Sequence, residues 1–221
     1  GSSCQVIGKM AQDNMKTGTT CIGIQFKDGI LIAADMRATG GYIASDSFQK
    51  TFDISERIVA ATAGLVADAQ LLMRIIKGEL KLLELRNERK CKVREAAMIL
   101  NSMQYRNVRT MGSIVSLIVG GYDDKEGFAL YDLSPDGSII NHEGYVVTGS
   151  GSVFIRGYID AKYDPNMSRK EAVSLAEEAF KLSFKHDAAS GGGFVAKVVT
   201  KERIVEVEGK NVQTELVGEK Q

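Results

Sequence analysis

The pattern of apolar and polar positions begins with short apolar runs of the kind that form buried strands. Cys21–Phe26 and Ile30–Ala34 are joined by a segment that ends in Asp28-Gly29. An Asp-Gly step between two such runs is a strong hairpin signal, so the two runs predict paired antiparallel strands. A further apolar run, Ile58–Ala63, predicts another buried strand.

The pattern then changes to helical spacing, and four helices are predicted in two pairs. Val66–Leu85 and Val93–Tyr105 carry apolar residues on one face and predict the first pair. The second pair is predicted after Gly151 and from Ser168, which has the Ser-x-x-Glu spacing of a capping box with Glu171. This fourth helix is apolar over much of its surface, which indicates that it is covered on more than one side.

Apolar runs between and after the helix pairs predict the remaining strands. Because strands come in hairpins and helices come in pairs, the order favours antiparallel sheets with helices packed outside them over alternating βαβ units. These strands are Ile114–Gly120, Phe128–Leu133, Ser138–Asn141, Tyr145–Val147, Phe194–Val199 and Ile204–Val207.

Composition adds little to this picture beyond excluding some classes of protein. The 221 residues are 44% hydrophobic and 25% charged, values that suit one globular domain. Basic and acidic residues number 28 each, which gives no reason to expect nucleic acid or a membrane as a partner. Three cysteines far apart support neither a disulfide framework nor a metal site, so we expect no metal, no cofactor and a reducing, cytoplasmic compartment.

Common catalytic motifs do not explain the sequence. Gly149-Ser150-Gly151 lacks the third glycine of a dinucleotide-binding loop. A Ser-His-Asp triad drawn from Ser190, His186 and Asp187 would need three neighbouring residues to face one centre. Cys21 is expected to be a buried strand cysteine and not a nucleophile.

A set of short segments carries a more specific signal when the segments are taken in order. Together they resemble the β subunits of the 20S proteasome core particle, of the archaeal type, which are N-terminal-nucleophile hydrolases. The resemblance implies an α+β fold, a four-layer αββα sandwich with two antiparallel sheets between helix pairs. The segments are Gly18–Ile24, Lys27-Asp28-Gly29, Ala34–Thr39, Lys50, Thr62-Ala63-Gly64, Thr148–Gly151 and Asp187–Gly192.

Thr19 is the candidate nucleophile that this resemblance indicates. A threonine hydroxyl is weak unless a base removes its proton, and a free α-amine with a pKa of roughly 7.7–8.0 can be that base. With Gly18 attached the amine is a peptide nitrogen, so cleavage between Gly18 and Thr19 would activate the site, and the family implies self-cleavage. We therefore expect residues 1–18 to be a tag remnant plus propeptide, removed on maturation, and residues 19–221 to form the domain.

The resemblance also assigns residues to positions around Thr19. Lys50 would lie beside the hydroxyl, where a cation lowers the hydroxyl pKa, and Asp35 would pair with Lys50. The backbone N–H of Gly64 would donate to the oxyanion. The hydrogen-bonded network around the Thr19 amine would consist of Ser150, Asp187 and Ser190.

Substrate is expected to bind as an added strand along the backbones of Thr39 and Gly64. The side chain before the cut bond would enter a pocket without charged groups, which predicts cleavage after apolar residues. By resemblance the pocket is formed by Ala38, Phe48, Thr62 and Val66.

The predicted function is that of a threonine-type endopeptidase acting on unfolded polypeptides. The resemblance implies seven-membered rings of β subunits, capping rings of α subunits and a regulatory ATPase. One alternative is a catalytically silent, structural β subunit of the same particle. Another is an N-terminal-nucleophile amidase that acts on small molecules.

Overall fold

The computed structural model describes residues 19–40, 43–45, 49–64, 66–110, 114–134, 136–187 and 192–209. Three of the predicted site residues, Gly18, Phe48 and Ser190, lie outside the described residues. No helix in the described ranges combines the length and the apolar character needed to cross a bilayer.

Twelve described strands pair antiparallel to one another in two five-stranded sheets and one two-stranded ribbon. The strands are β1 Thr20–Phe26, β2 Gly29–Asp35, β3 Ala38–Gly40, β4 Ile43–Ser45, β5 Thr51–Ser55, β6 Ile58–Gly64, β7 Ile114–Asp123, β8 Gly127–Leu133, β9 Ile139–Asn141, β10 Tyr145–Gly149, β11 Phe194–Val199 and β12 Ile204–Gly209. The first sheet has the order β10-β1-β2-β11-β12, the second β5-β6-β7-β8-β9, and β3 pairs with β4.

Four helices are described in addition to the strands: α1 Val66–Asn87, α2 Val93–Thr110, α3 Ser152–Lys162 and α4 Arg169–His186. The capping box predicted for α4 is confirmed. The Ser168 side chain accepts a hydrogen bond from the Glu171 N–H, and the Glu171 carboxylate accepts one from the Ser168 N–H. Both contacts satisfy amides at a helix start that have no partner within the helix.

Three apolar clusters divide the molecule into four layers. Residues such as Ile32 of β2 and Ile118 of β7 fill the space between the two sheets. Leu72 of α1 belongs to a cluster on the outer face of the second sheet, and Phe180 of α4 to a cluster on the outer face of the first. The predicted αββα sandwich is therefore confirmed.

The structure adds three strands that the apolar pattern did not predict, β3, β4 and β5. In addition, α2 continues to Thr110, beyond the predicted end at Tyr105. Because β5 is the edge strand of the second sheet and starts directly after Lys50, it helps to place that lysine between the sheets.

Candidate active site

The start of β1 and the end of β2 lie at the same end of the first sheet, because the two strands are antiparallel neighbours. Cys21 lies opposite Ala34 in this pairing, and the backbone N–H of Thr20 donates to Asp35 Oδ1 at 3.1 Å. Lys50 Nζ donates to the same carboxylate oxygen at 2.9 Å. One oxygen of Asp35 thus connects Lys50 with the residue that follows Thr19.

Lys50 reaches Asp35 from the second sheet. Its carbonyl oxygen accepts a hydrogen bond from the Thr62 N–H at 3.0 Å, and the next residue, Thr51, pairs with Ala61 of β6. The backbone of Lys50 is therefore held by the second sheet while its ammonium group binds the first.

The Lys50–Asp35 pair is buried, with side-chain exposures of 1% and 0%. Burial lowers the pKa of Lys50, and the charge of Asp35 and its hydrogen bond offset part of that lowering. Taking two charges out of water costs several kcal/mol per ion, and their mutual attraction repays that cost only in favourable geometry. Buried charges with a perturbed pKa concentrate at functional sites, which makes this pair a candidate for catalysis.

Thr19 directly precedes Thr20, whose N–H binds Asp35, and is 1% exposed. Its carbonyl oxygen accepts a hydrogen bond from the Ser150 N–H at 2.8 Å, whereas its Oγ1 has no hydrogen-bond partner among the described residues. A buried hydroxyl without a partner costs about 1–3 kcal/mol. Such an atom in a folded protein needs an explanation, and a reactive role is one.

Gly149 makes the close approach of β10 to Thr19 possible. It lies opposite Thr20 in the strand pairing and has a φ of +94°, which side-chain-bearing residues rarely adopt. A Cβ at this position would overlap the Thr19 carbonyl oxygen. The glycine therefore allows Ser150 to reach the Thr19 backbone.

Ser150 and Asp187 come together on the other side of Thr19. Ser150 Oγ donates to Asp187 Oδ2 at 2.6 Å, a short distance typical of a hydroxyl bound to a carboxylate. Asp187 is the C-terminal cap of α4, and its N–H donates to the Ser183 carbonyl oxygen at 2.7 Å. Ser150 and Asp187, two of the three residues predicted to surround the Thr19 amine, are thus in direct contact with each other.

Thr19 also lines an open cleft of about 560 Å³ formed by residues of both sheets. Ser116 of β7 donates to Thr148 Oγ1 of β10 at 2.9 Å, which connects the second sheet to the first. Asp132 and Arg156 contribute one charged group of each sign, and burial raises the pKa of Asp132. The cleft has the size and mixed lining of a ligand site.

The remaining predicted residues lie in elements around Thr19. Ala38 and Thr39 belong to β3, directly after β2, and Thr62 is buried in β6. Gly64 ends β6 at an irregularity where the pairing with β7 shifts register, and Val66 begins α1. A shift of this kind leaves a backbone group outside the ladder, as an oxyanion donor requires. The catalytic and binding roles of all these residues stay predictions.

Sequence reasoning missed three residues that the structure places at the site. Ala63 lines the cleft with Thr19, and the hydroxyls of Thr20 and Ser183 are 2.9 Å apart. A signal for Ser183 does exist in the sequence, since it is a polar residue one helical turn after Ala179 on the apolar face of α4. A buried hydroxyl on such a face needs a hydrogen-bond partner.

Comparison with known proteins identifies the family of this chain. The family model described as proteasome subunit matches residues 15–199. The chain belongs to the proteasome subunit family. The match includes every residue assigned above to the candidate site of this family member.

Curated members of the proteasome subunit family align with nearly the whole chain. The proteasome subunit beta of Archaeoglobus fulgidus is 37% identical over 205 residues, which cover 92% of this chain and 95% of that protein. The corresponding protein of Methanoregula boonei is 39% identical, covering 93% of this chain and 95% of its own length. That of Nanoarchaeum equitans is 38% identical, covering 84% and 95%.

Proposed function

We propose that this chain is a threonine-type endopeptidase subunit of the proteasome core particle, with Thr19 as its nucleophile. The observation that carries the proposal is the buried Asp35 oxygen that binds both Lys50 Nζ and the Thr20 N–H. This arrangement supports Lys50 as the cation that acts on Thr19, whose buried Oγ1 has no hydrogen-bond partner among the described residues. A terminal amine on the same residue as the hydroxyl can activate it for acyl transfer, and a cation nearby lowers the pKa of the hydroxyl.

In the proposed reaction the free α-amine of Thr19 takes the proton from Oγ1, which attacks the substrate carbonyl carbon. The oxyanion that forms is bound by the N–H of Gly64, a contact worth about 10²–10³ in rate. The amine then gives its proton to the leaving nitrogen, and the acyl group remains on Oγ1 as an ester. Water hydrolyses the ester with the same amine as base, which restores Thr19.

Lys50 and Asp35 have an electrostatic role in this scheme. Asp35 favours the charged form of Lys50 and so opposes the effect of burial on its pKa. A positive charge near Oγ1 lowers the pKa of the hydroxyl and stabilises the developing alkoxide. Because the pair is buried, solvent screens this charge much less than it screens a surface lysine.

Activation follows from the same chemistry. We propose that Thr19 Oγ1 attacks the Gly18 carbonyl carbon, that the peptide bond becomes an ester, and that water cleaves this ester. The products are a free Thr19 amine and a peptide of residues 1–18, which we interpret as a tag remnant plus propeptide. Residues 19–221 are the mature domain in this proposal, because only in that form is the nitrogen of Thr19 a basic amine.

The relatives' description as beta subunits supports a place for this chain in a ring. We propose seven-membered β rings stacked on α-subunit rings in the cytoplasm, with a regulatory ATPase that delivers unfolded polypeptides. A pocket formed by Ala38, Phe48, Thr62 and Val66 would favour cleavage after apolar residues. A panel of fluorogenic peptides tests this preference, and faster cleavage after basic residues would contradict it.

The test of the proposed function compares wild type with Thr19→Ala and Thr19→Ser, each assembled with α subunits. Intact mass measures the loss of residues 1–18, and a fluorogenic peptide measures hydrolysis. We expect Thr19→Ala to retain the leader and to be inactive, and Thr19→Ser to keep both reactions at a reduced rate. A wild-type particle that keeps its leader and cleaves nothing would instead identify a silent structural subunit.

A further inference from the structure

Two buried hydroxyls join the strand that follows the nucleophile to helix α4. Thr20 Oγ1 and Ser183 Oγ lie 2.9 Å apart, and both residues are fully buried. Thr20 begins β1, whereas Ser183 lies near the end of α4 and comes from a distant part of the chain. The contact therefore fixes the position of one element relative to the other.

Gly151 leaves the space in which the two hydroxyls meet. A Cβ at this position would overlap both Ser183 Oγ and Thr20 Oγ1. Gly151 has an ordinary helical backbone with a φ of −82°, so conformational freedom does not explain a glycine here. The close approach of the two hydroxyls does explain it.

These contacts close a ring that passes through Thr19. Ser150 N–H binds the Thr19 carbonyl oxygen, and Ser150 Oγ binds Asp187 Oδ2. The Asp187 N–H binds the carbonyl oxygen of Ser183, whose hydroxyl binds Thr20. The peptide bond between Thr19 and Thr20 completes the ring, so Ser183 is the point at which α4 holds both Asp187 and the nucleophile strand.

We propose that Ser183 is a positioning residue for Thr19, acting through the hydroxyl of Thr20. This inference rests on the proposed function, because it concerns the geometry of that same site. Ser183 does not touch the reacting atoms. It holds the Thr20 end of the Thr19 peptide bond while Ser150 holds the Thr19 carbonyl, so that the hydroxyl and the amine of Thr19 keep their relative orientation to a bound peptide.

The expected consequence is a loss of turnover and not of substrate binding. Misplacement of a reacting group by about 1 Å can lower a rate roughly 10²-fold. Removing one hydroxyl of the pair also leaves the other buried without this partner, which favours a shift of the strand. The substrate-binding strand and pocket proposed above include no residue of β1 or α4, so KM should change little.

The experiment uses particles assembled with α subunits from Ser183→Ala, Thr20→Val and the double variant. Thr20→Ser is the matched control at the strand, because it keeps the hydroxyl and removes only the methyl group. Ser55→Ala is the matched control for a lost serine hydroxyl, since Ser55 Oγ donates to Glu84 Oε1 at 3.2 Å between β5 and α1. The readouts are kcat, KM, the rate of leader removal and the melting temperature.

We expect kcat to fall about 10- to 100-fold in Ser183→Ala and in Thr20→Val, with KM within about 2-fold of wild type. The double variant should be no slower than the slower single variant, because both remove the same contact. Thr20→Ser should restore kcat to within about 3-fold, and Ser55→Ala should leave kcat unchanged even if its melting temperature falls.

Three results would overturn the inference in different ways. Wild-type particles that show no Thr19-dependent hydrolysis overturn the proposed function and the positioning role with it. Active wild-type particles in which Ser183→Ala and Thr20→Val keep a normal kcat overturn the positioning role alone. A loss of kcat in Thr20→Ser equal to that in Thr20→Val also contradicts it, because the hydroxyl would then be irrelevant.

Discussion

Two lysine–aspartate pairs connect the first sheet with the segment around β5, and they differ in one respect. Lys50 Nζ lies 2.9 Å from Asp35 Oδ1, and Lys197 Nζ lies 2.7 Å from Asp53 Oδ1. Both lysines are buried, with side-chain exposures of 1% and 6%. Asp35 is 0% exposed whereas Asp53 is 50% exposed, so only the first pair is removed from water at both ends.

The difference in exposure between Asp35 and Asp53 separates a candidate catalytic pair from an ordinary ion pair between the sheets. Water solvates the carboxylate of Asp53, so its pair with Lys197 resembles a partly exposed ion pair, which contributes about 0–1 kcal/mol. The Lys50–Asp35 pair carries the full desolvation cost of two ions and is weak evidence for stability. Its contact with the N–H of Thr20, the residue after Thr19, and not its bond length, is what indicates a function.

The largest expected effect is on catalysis. Lys50→Met should lower peptide hydrolysis in assembled particles by about 10²–10³-fold, the range expected when a group that stabilises developing negative charge is removed. Lys197→Met removes an equally long, equally aliphatic lysine and should leave kcat within about 3-fold of wild type. Equal losses of peptide hydrolysis in the two variants would show that the difference between the two ion pairs has no bearing on catalysis.

The second effect is on the free energy of unfolding of the full chain. Lys50→Met leaves Asp35 buried without its cation and should destabilise by about 3–5 kcal/mol, whereas Lys197→Met should cost about 0–1 kcal/mol. Adding Asp35→Asn to Lys50→Met should recover part of the loss, because the buried carboxylate that lost Lys50 is then replaced by a neutral amide. Denaturant titrations of the four chains measure this, and a larger loss from Lys197→Met would contradict it.

The third effect is a dependence of stability on pH. The pKa of Lys50 is lowered by burial from its ordinary value of 10.5, so the folded chain releases this proton at a lower pH than the unfolded chain. Between those two pH values the unfolded state holds more protons, and the free energy of unfolding therefore rises with pH. Denaturant titrations at a series of pH values should show this rise in wild type and not in the double variant Asp35→Asn with Lys50→Met. A free energy of unfolding that falls with pH in wild type relative to the double variant would contradict the direction of the shift.

The smallest effect concerns the reactivity of two thiols, Cys21 near the Lys50–Asp35 pair and Cys91 far from it. Burial, with a contribution from Asp35, raises the pKa of Cys21 to about 12, and burial raises that of Cys91 to about 11. Thiols react as thiolates, so neither should be alkylated by iodoacetamide at pH 8 in folded chains that begin at Thr19. On partial unfolding Cys91 should react before Cys21. Labelling of Cys21 in the folded chain would show that this end of β1 is open to solvent.

Local patterns in the sequence predict the long elements of this fold but not the short ones. Asp28-Gly29 predicts the β1–β2 hairpin, and the spacing of apolar residues predicts α1 within a few residues of its end. β3 and β4 have three residues each, too few to show an alternation. The residues of α2 after Tyr105 are mainly polar, so they add nothing to the apolar stripe that defines a predicted helix.

The site depends on contacts that no local pattern contains. Asp35 ends a strand of one sheet and Lys50 precedes a strand of the other, so their contact follows from the stacking of the sheets. Their assignment from sequence came from the resemblance to proteasome β subunits. Ser183 belongs to no motif of that resemblance, and its contact with Thr20 depends on the packing of α4 against β1.

The most direct test of the account isolates the α-amine of Thr19. Chains that begin at Thr19 are prepared with a free amine and with an acetylated amine, and each is assembled with α subunits. The hydroxyl, Lys50 and Asp35 are identical in the two particles, so only the proposed base differs. We predict that the free amine gives peptide hydrolysis without any self-cleavage step and that acetylation lowers it by about 10²–10⁴-fold. Equal hydrolysis by the two particles would contradict the claim that this nitrogen is the base.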